Sequence, residues 1–264
     1  TVTALDDAEV VLVPVAITAP ASAAVGQSIQ LICVVTNRGN GGATAPWNDA
    51  FYLATNAVWD ATAYSLASSY QSRGATNSSS YSFTNNANLP RWPAGTYFLI
   101  AKAYANNSLY ESAETNNTRS IQITLATPDL APLNLSAPAS GVPGQSIQVV
   151  TVVTNRGNGI AFPSWYDRLY LTTNGIWDAQ AYALGSTYQS QSATNGTSYR
   201  VTNTVTLPKW AGGTYYLILK VDDNNNVFES NEINNWSEPL AMTLVVPDLE
   251  PVALSAPAIG VAGK

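Results

Sequence analysis

Residues 147–159, which read Ile-Gln-Val-Val-Thr-Val-Val-Thr-Asn-Arg-Gly-Asn-Gly, combine a strand pattern with a turn. Ile147, Val149, Thr151 and Val153 alternate with their neighbours at period two, which is typical of a β-strand with one buried face. The Asn- and Gly-rich end favours a tight turn, because both residue types tolerate positive φ. We therefore predict a strand that leads directly into a turn.

This stretch occurs twice in the chain. Residues 29–41 match it at a distance of 118 residues, and the Gly-Thr-Tyr of residues 95–97 returns at 213–215 at the same distance. A third copy opens at Asp248 and is cut off at Lys264. Repetition at the length of a domain is typical of tandem arrays in which each unit folds around its own core.

The repeat divides the 264 residues into four segments. We expect residues 1–10 to be the end of a preceding segment, 11–128 the first β-sandwich, 129–247 the second, and 248–264 the truncated start of a third copy. Each complete unit has about the commonest size of a domain and can bury its own core. The joint at Pro128 is flanked by a second proline four residues later, which favours a semi-rigid connection.

The alternation of apolar and polar residues continues through both units and predicts strands throughout, with Gly, Pro and Asn at the breaks. We expect about seven strands in each unit. The fold class is therefore all-β, with tandem immunoglobulin-like antiparallel β-sandwiches. Tyr97 and Tyr215 each follow a Leu-Pro crossover, which predicts a tyrosine corner in which the hydroxyl bonds the backbone upstream. A core tyrosine with a hydrated hydroxyl is the alternative.

Composition excludes several classes of protein. The formal net charge of −6, without a cluster of Lys or Arg, disfavours nucleic-acid binding. No apolar run approaches the length that spans a membrane. Cys33 is the only cysteine, so there is no disulfide framework, and its alternation with apolar residues predicts burial. The chain has no histidine, the commonest general base and zinc ligand, and we expect neither an enzyme nor a cofactor.

The densest group of acidic and amide residues lies before the last strand of each unit. In the second unit, Asp222, Asp223, Glu229 and Glu232 offer the oxygen ligands that Ca²⁺ prefers. The first unit has Tyr and Ala in place of the two aspartates, which weakens a metal site common to all units. The alternative is that amide side chains form the turns and that the glutamates bond free backbone N–H groups. The recurring amides are Asn116, Asn117, Asn234 and Asn235.

Two aspartates recur on the apolar face of a strand. Asp49 and Asp167 stand beside Phe51 and Leu169, so each carboxylate needs partners or lies at the rim of the sandwich. It could accept from backbone amides, or it could reach the glutamates before the last strand. We favour the first alternative.

Aromatic residues also recur between the units. Trp59 and Trp177 are equivalent, whereas Trp236 is matched by Thr118. A tryptophan on a sandwich face could stack on a sugar ring, and these three residues are therefore our candidates for ligand contact. The alternative is that Trp59 and Trp177 hold a long loop in place.

The order of these motifs resembles the CARDB family, the cell-adhesion-related domain found in bacteria. The resemblance rests on the Asn before the Gly-rich turn, on Trp-x-Asp-x-x-Tyr-Leu, on Pro-x-x-x-Gly-Thr-Tyr-x-Leu, and on Asn-Asn-x-x-x-Glu-Ser-x-Glu-x-Asn-Asn. It covers nearly all of both units. It implies immunoglobulin-like modules of large secreted or surface proteins, often in tandem and often beside catalytic domains. The family has no catalytic residues to transfer.

From these observations we expect a fragment of a secreted or cell-surface bacterial protein whose tandem units space, present or attach neighbouring domains. Its partners would be neighbouring repeats of the same chain and a surface protein or polysaccharide, with neither nucleic acid nor a membrane-spanning segment. The alternative is a carbohydrate-binding module that uses the recurring Trp and Tyr side chains.

Overall fold

The computed structural model describes residues 9–106, 111 and 113–255. Two successive sets of strands form two units with the same architecture. The strands of the first unit are β1 (Leu12–Thr18), β2 (Ser22–Ala24), β3 (Ser28–Asn37), β4 (Trp47–Ala54), β5 (Tyr64–Gln71), β6 (Ser80–Asn88), β7 (Gly95–Lys102) and β8 (Thr118–Ala126). Those of the second are β9 (Leu130–Ser136), β10 (Ser140–Gly141), β11 (Ser146–Asn155), β12 (Trp165–Thr172), β13 (Tyr182–Gln189), β14 (Ser198–Thr206), β15 (Gly213–Lys220) and β16 (Leu240–Leu244).

Each unit consists of a three-stranded and a five-stranded sheet. The first unit has the orders β1-β3-β6 and β2-β8-β7-β4-β5, and the second has β9-β11-β14 and β10-β16-β15-β12-β13. Neighbouring strands are antiparallel, except that β2 pairs with β8 and β10 with β16 in parallel. The chain is thus all-β, with two tandem immunoglobulin-like sandwiches, as the sequence predicted.

The core of each unit lies between its two sheets. All four side chains that the alternation of β11 assigned to one face, from Ile147 to Val153, are buried. On the facing sheet, Trp165 and Leu169 of β12 are buried in the same core, as are Trp47 and Phe51 of β4 in the first unit. The period of the sequence therefore determines which side chains form the core.

Within the described residues, each unit has eight strands rather than the expected seven or so. The additional strands, β2 and β10, have three and two residues, too few for alternation to be recognised. The last strand of the second unit, β16, begins only at Leu240 and is shorter than its counterpart β8. Pro239 has no N–H to donate to the ladder between β16 and β15. In the first unit, by contrast, β8 pairs along all of β7.

Three expectations concern residues that lie outside the described part of the chain. These are residues 1–8 of the preceding segment predicted over 1–10, the tip of the first unit's polar segment at 107–110 and 112, and the end of the third copy at 256–264. Residues 248–255 are exposed and form no strand. In the part of the chain that the structure describes, no helix is long and apolar enough to cross a membrane.

Candidate functional site

The segment of residues 222–235, between β15 and β16, holds the acidic side chains of the second unit. Asp222 begins it with φ of 45° and is only 1% exposed. Its carboxylate accepts from the backbone N–H groups of Asn226 (3.0 Å) and Val227 (2.8 Å). Burial raises the pKa of Asp222, and these two donors oppose that rise. The carboxylate thus closes a local turn.

Asp223 points away from this turn, toward the outer face of the five-stranded sheet. Its carboxylate forms ion pairs with Arg168 (3.2 Å) and Lys220 (3.4 Å) and accepts from the hydroxyl of Tyr170 (2.8 Å). Asp222 and Asp223 are adjacent in sequence, but Asp222 closes the local turn, whereas Asp223 contacts side chains on the outer face of the sheet.

Glu229 binds the backbone at the start of the first strand of its own unit. Its buried carboxylate accepts from the backbone N–H of Leu130, the first residue of β9, and from the amide of Asn235. Burial raises the pKa of Glu229 to about 8, and nearby carboxylates add to the effect. Glu232 accepts from the N–H of Glu229 (3.0 Å). In the first unit, Glu111 accepts equivalently from Leu12 (2.7 Å), so this fastening recurs.

The recurring amides lie around the glutamates. Asn234 donates to the carboxylate of Asp129 (2.8 Å), and Asn117 donates to Glu114 (3.4 Å). The backbone carbonyls of Asn117 and Asn235 accept from the strand ends at Ala103 and Val221. Asn116 is half-buried beside them. These contacts join the polar segment to the strand that precedes it.

The four candidate calcium ligands are Asp222, Asp223, Glu229 and Glu232. Their carboxylates accept from protein N–H groups or pair with cations, as described above. Among the described residues, no group of three or more His, Cys, Asp or Glu side chains is placed to hold a metal ion. A calcium site and hydrogen-bonded turns therefore both remain alternatives for this segment.

Asp167 is the centre of a buried hydrogen-bond network. It accepts from the hydroxyl of Tyr199 (2.7 Å), the amide of Gln189 (2.8 Å) and the backbone N–H of Asp222 (3.2 Å). Burial raises its pKa to about 6 against the effect of these donors. This network ties the start of the polar segment to the core of the sandwich.

The first unit contains the equivalent network around Asp49. The carboxylate accepts from Tyr81 (3.3 Å), the indole of Trp47 (3.2 Å) and the backbone N–H of Tyr104 (2.8 Å). Burial raises the pKa of Asp49 to about 6 as well. In both units the carboxylate therefore accepts from a backbone amide just after the neighbouring strand of the same sheet.

The Gly-rich turn of the second unit holds the end of the first unit. Asn158 accepts from the backbone N–H of Thr127 (3.0 Å), and Gly159 donates to the carbonyl of the same residue (2.9 Å). Asn155 accepts from the N–H of Asp129 (3.0 Å). A Cβ on Gly157 would overlap the backbone carbonyl of Thr127, so glycine permits this close approach. The turn thus binds the connection between the units.

Phe228 extends this contact to the body of the first unit. Val227 packs in the core of the second unit, whereas the next residue, Phe228, packs against the hydrophobic cluster of the first. Ser230 donates its backbone N–H to the carbonyl of Pro128 (2.9 Å). A cleft of about 420 Å³ between Val25, Phe162, Phe228 and their neighbours borders the joint.

The two predicted corner tyrosines bond the backbone four residues upstream. The hydroxyl of Tyr97 donates to the carbonyl of Pro93 (2.9 Å), and that of Tyr215 donates to the carbonyl of Ala211 (3.0 Å). These bonds fix the crossovers that lead into β7 and β15.

The three candidate tryptophans lie on the outer faces of the five-stranded sheets. The ring of Trp59 lies beside Tyr52, and the ammonium of Lys102 sits 3.7 Å from its centroid. Trp177 and Trp236 lie next to each other, with ring centroids 5.3 Å apart. The second unit therefore has the larger exposed aromatic group.

Sequence reasoning singled out the glutamates, the Gly-rich turn, Trp236 and the joint at Pro128, but it missed the contacts that hold this joint. The sequence signal for these contacts was the recurrence of Asn40 as Asn158. These two residues contact Glu9 and Thr127 at the entrance to each unit. Phe228 gave no signal of its own, because one apolar residue in a polar segment does not indicate which unit it contacts.

The two sandwiches are similar to a known family and to solved domains. A model of the CARDB family matches residues 9–121 and again residues 127–239. Among solved structures, the CARDB domain of a Pyrococcus furiosus protein in complex with di-metal ions is 16% identical, covers 44% of this chain and 89% of that one, and gives a TM-score of 0.35. A domain of a "putative cell surface protein" from Methanosarcina acetivorans is 25% identical over 45% of this chain and 93% of that one, with a TM-score of 0.36.

No protein with a curated description is significantly similar to the chain. The two matches of the family model are consecutive, and each covers one of the two sandwiches up to its last strand. Because they cover well over half of the 264 residues, the chain belongs to the CARDB family.

Proposed function

We propose that the chain is a pair of non-catalytic spacer and adhesion modules of a secreted or cell-surface protein. Membership of the CARDB family supports a role as a surface module. The units would hold neighbouring domains at a fixed separation or attach them to a surface protein or polysaccharide. Weak contacts of single units would add up through repetition along the array.

The observation that supports a spacer best is the joint between the units. Thr127 and Asp129 are bonded by the turn of the second unit, and Pro128 by its polar segment. Phe228 adds an apolar contact with the first unit. A connection of about three residues with these constraints cannot sample the range of orientations open to a flexible linker of the same length.

The test is a distance measurement between the units. Spin labels at Ser72→Cys and Ser190→Cys occupy equivalent exposed positions in the two units. Native Cys33 is buried and its thiol has a pKa raised to about 12, so labels react with the introduced cysteines. Double electron–electron resonance should give one narrow distance distribution for the wild-type chain.

Phe228→Ala should broaden this distribution, because it removes the apolar contact with the first unit. Tyr182→Ala is the matched control: its aromatic ring lies on the sandwich and should leave the distribution narrow. A distribution in the wild-type chain as broad as in Phe228→Ala would contradict the spacer function.

A further inference from the structure

Among the positions at which the two units differ, four are far apart in sequence but close together in the fold. These positions lie around a tyrosine, a tryptophan and a lysine that both units share. The four differing residues are Tyr166, Arg168, Asp223 and Trp236, in place of Asn48, Ala50, Ala105 and Thr118. The shared residues are Tyr170, Trp177 and Lys220, equivalent to Tyr52, Trp59 and Lys102.

Sheet register explains why these residues meet. Along β12, Trp165, Asp167 and Leu169 point into the core, so residues 166, 168 and 170 lie on the outer face. Arg168 is directly opposite Lys220 of β15, and Lys220 forms a bridge with Trp236. Tyr188 of β13 is directly opposite Tyr166. Together these residues form one strip across β13, β12, β15 and the segment before β16, which we call the outer strip.

One end of the outer strip is aromatic. Trp177 and Trp236 have ring centroids 5.3 Å apart at an interplanar angle of 39°, and Tyr170 lies 6.2 Å from each. The ammonium of Lys220 lies 5.1 Å from the Trp236 ring and 5.8 Å from the Trp177 ring. Trp177 is 46% exposed, so one large ring surface faces solvent.

The middle of the outer strip is charged, and its other end is again aromatic. Asp223 pairs with both Arg168 and Lys220. Tyr166 and Tyr188 then pack against each other with ring centroids 5.1 Å apart and are 41% and 51% exposed. The four steps from Tyr166 to Tyr170 along β12 rise by ~13 Å, which is longer than one sugar ring.

The sandwich does not require these four residues. The first unit folds into the same two sheets with Asn, Ala, Ala and Thr at these positions. Moreover, the last strand of a unit does not need a tryptophan in order to pair. In the first unit the equivalent strand, β8, pairs along all of β7 without one. The four differences are therefore best explained by a contact outside the chain.

We propose that the outer strip of the second unit binds a neutral oligosaccharide. Pyranose rings present C–H faces that pack on exposed aromatic rings, and their hydroxyls pair with charged side chains at the ring edges. Both cations of the outer strip are already paired with Asp223, and the chain has a net charge of −6, which disfavours an anionic polymer. Rings at both ends and polar groups between them fit a chain of two or three sugars.

This site does not depend on a rigid joint, because all its residues belong to the second unit. Isothermal titration of the whole chain with linear hexasaccharides of β-1,4-linked glucose, N-acetylglucosamine and mannose tests the proposal. At least one of the three should bind with a stoichiometry of one site per chain. Trp236→Thr and Arg168→Ala, which introduce the residues of the first unit, should each weaken that binding at least tenfold.

Two further variants separate the site from damage to the fold. Tyr70→Ala removes an exposed ring of the first unit and should leave binding unchanged. The combined exchange N48Y, A50R, A105D and T118W rebuilds the outer strip on the first unit and should raise the stoichiometry from one to two. Circular dichroism and the unfolding midpoint identify any variant that fails to fold.

Three outcomes would overturn the proposal. The first is that none of the three sugars binds. The second is two equivalent sites per chain that survive Trp236→Thr, which would assign binding to the recurring aromatics instead. The third is capture of a purified surface protein, lost in Trp236→Thr, without binding of any sugar, which would make the outer strip a protein-docking face.

Discussion

Replacing Asp167 with Asn should change how the stability of the second unit depends on pH. Asp167 is 4% exposed, and burial raises its pKa from 3.8 to about 6 in the folded chain. The folded state therefore retains its proton at a pH where the unfolded state has lost it. The stability from this difference is fully present below pH 3.8 and is lost as the pH rises through 6.

The structure allows the size of this effect to be estimated. A pKa raised from 3.8 to about 6 corresponds to a loss on the order of 3 kcal/mol between pH 4 and pH 7. The amide introduced by Asp167→Asn would keep an oxygen that accepts from the N–H of Asp222 but would not ionise. Asp167→Asn should thus match the wild type near pH 4 and be more stable, by about 2–3 kcal/mol, at pH 7.5.

The free energy of unfolding of each unit can be measured by native-state hydrogen exchange with mass spectrometry, on peptides from β4 and β12. Asp49→Asn is the matched control, since it should change the pH profile of the first unit only. Wild type and Asp167→Asn with parallel profiles between pH 4 and pH 7.5 would refute the reasoning. So would an Asp167→Asn variant that is less stable at pH 7.5, because the hydrogen bonds of the ionised carboxylate would then outweigh its burial.

Three more predictions follow from the contacts above. Tyr215→Phe removes a hydroxyl donor from the crossover before β15 and should destabilise the second unit by about 1 kcal/mol in urea unfolding, whereas Tyr188→Phe, on the exposed face, should not. Asn155→Ala leaves the carbonyl of Gly159 and the N–H of Asp129 without these partners and removes one of the two donors to the carbonyl of Ala193, so it should cost about 3 kcal/mol, and a cost under 1 kcal/mol would contradict the role of this side chain. Calcium and excess chelator should give the same thermal midpoint because the oxygens of Asp222 already accept backbone donors; a calcium-dependent rise that Asp222→Ala abolishes would instead show a metal site.

The sequence predicted the sandwich because its alternation is uninterrupted where the strands are buried. Ile147 and Val149 face the core as their period requires, and the short strand β10 was missed because two residues show no period. β16 is shorter than its counterpart β8, since one proline interrupts its ladder. Local pattern thus determines the strands but not their exact ends.

The candidate sites required information that no single stretch of sequence holds. Comparing the two units shows that Trp236 stands in place of Thr118. That Trp236 lies on the same strip as Arg168, however, depends on the register of β12 with β15. Phe228 contacts the first unit only because the turn at Asn158 fixes the joint. Sequence reasoning could therefore identify residues by comparing the two units. It could not identify residues whose role depends on contacts between strands or between units.

Parallel pairing of the second strand with the last strand of each unit determines how the units respond to pulling. A force applied along the chain draws β10 and β16 in opposite directions, past each other. Their connecting bonds, from Thr243 to Ala139 and from Val245 to Gly141, are then loaded together in shear rather than opened one at a time. Thr243→Pro removes one of these bonds and should lower the unfolding force in single-molecule pulling. An array of such units would therefore keep its length under tension that would extend strands joined as a hairpin.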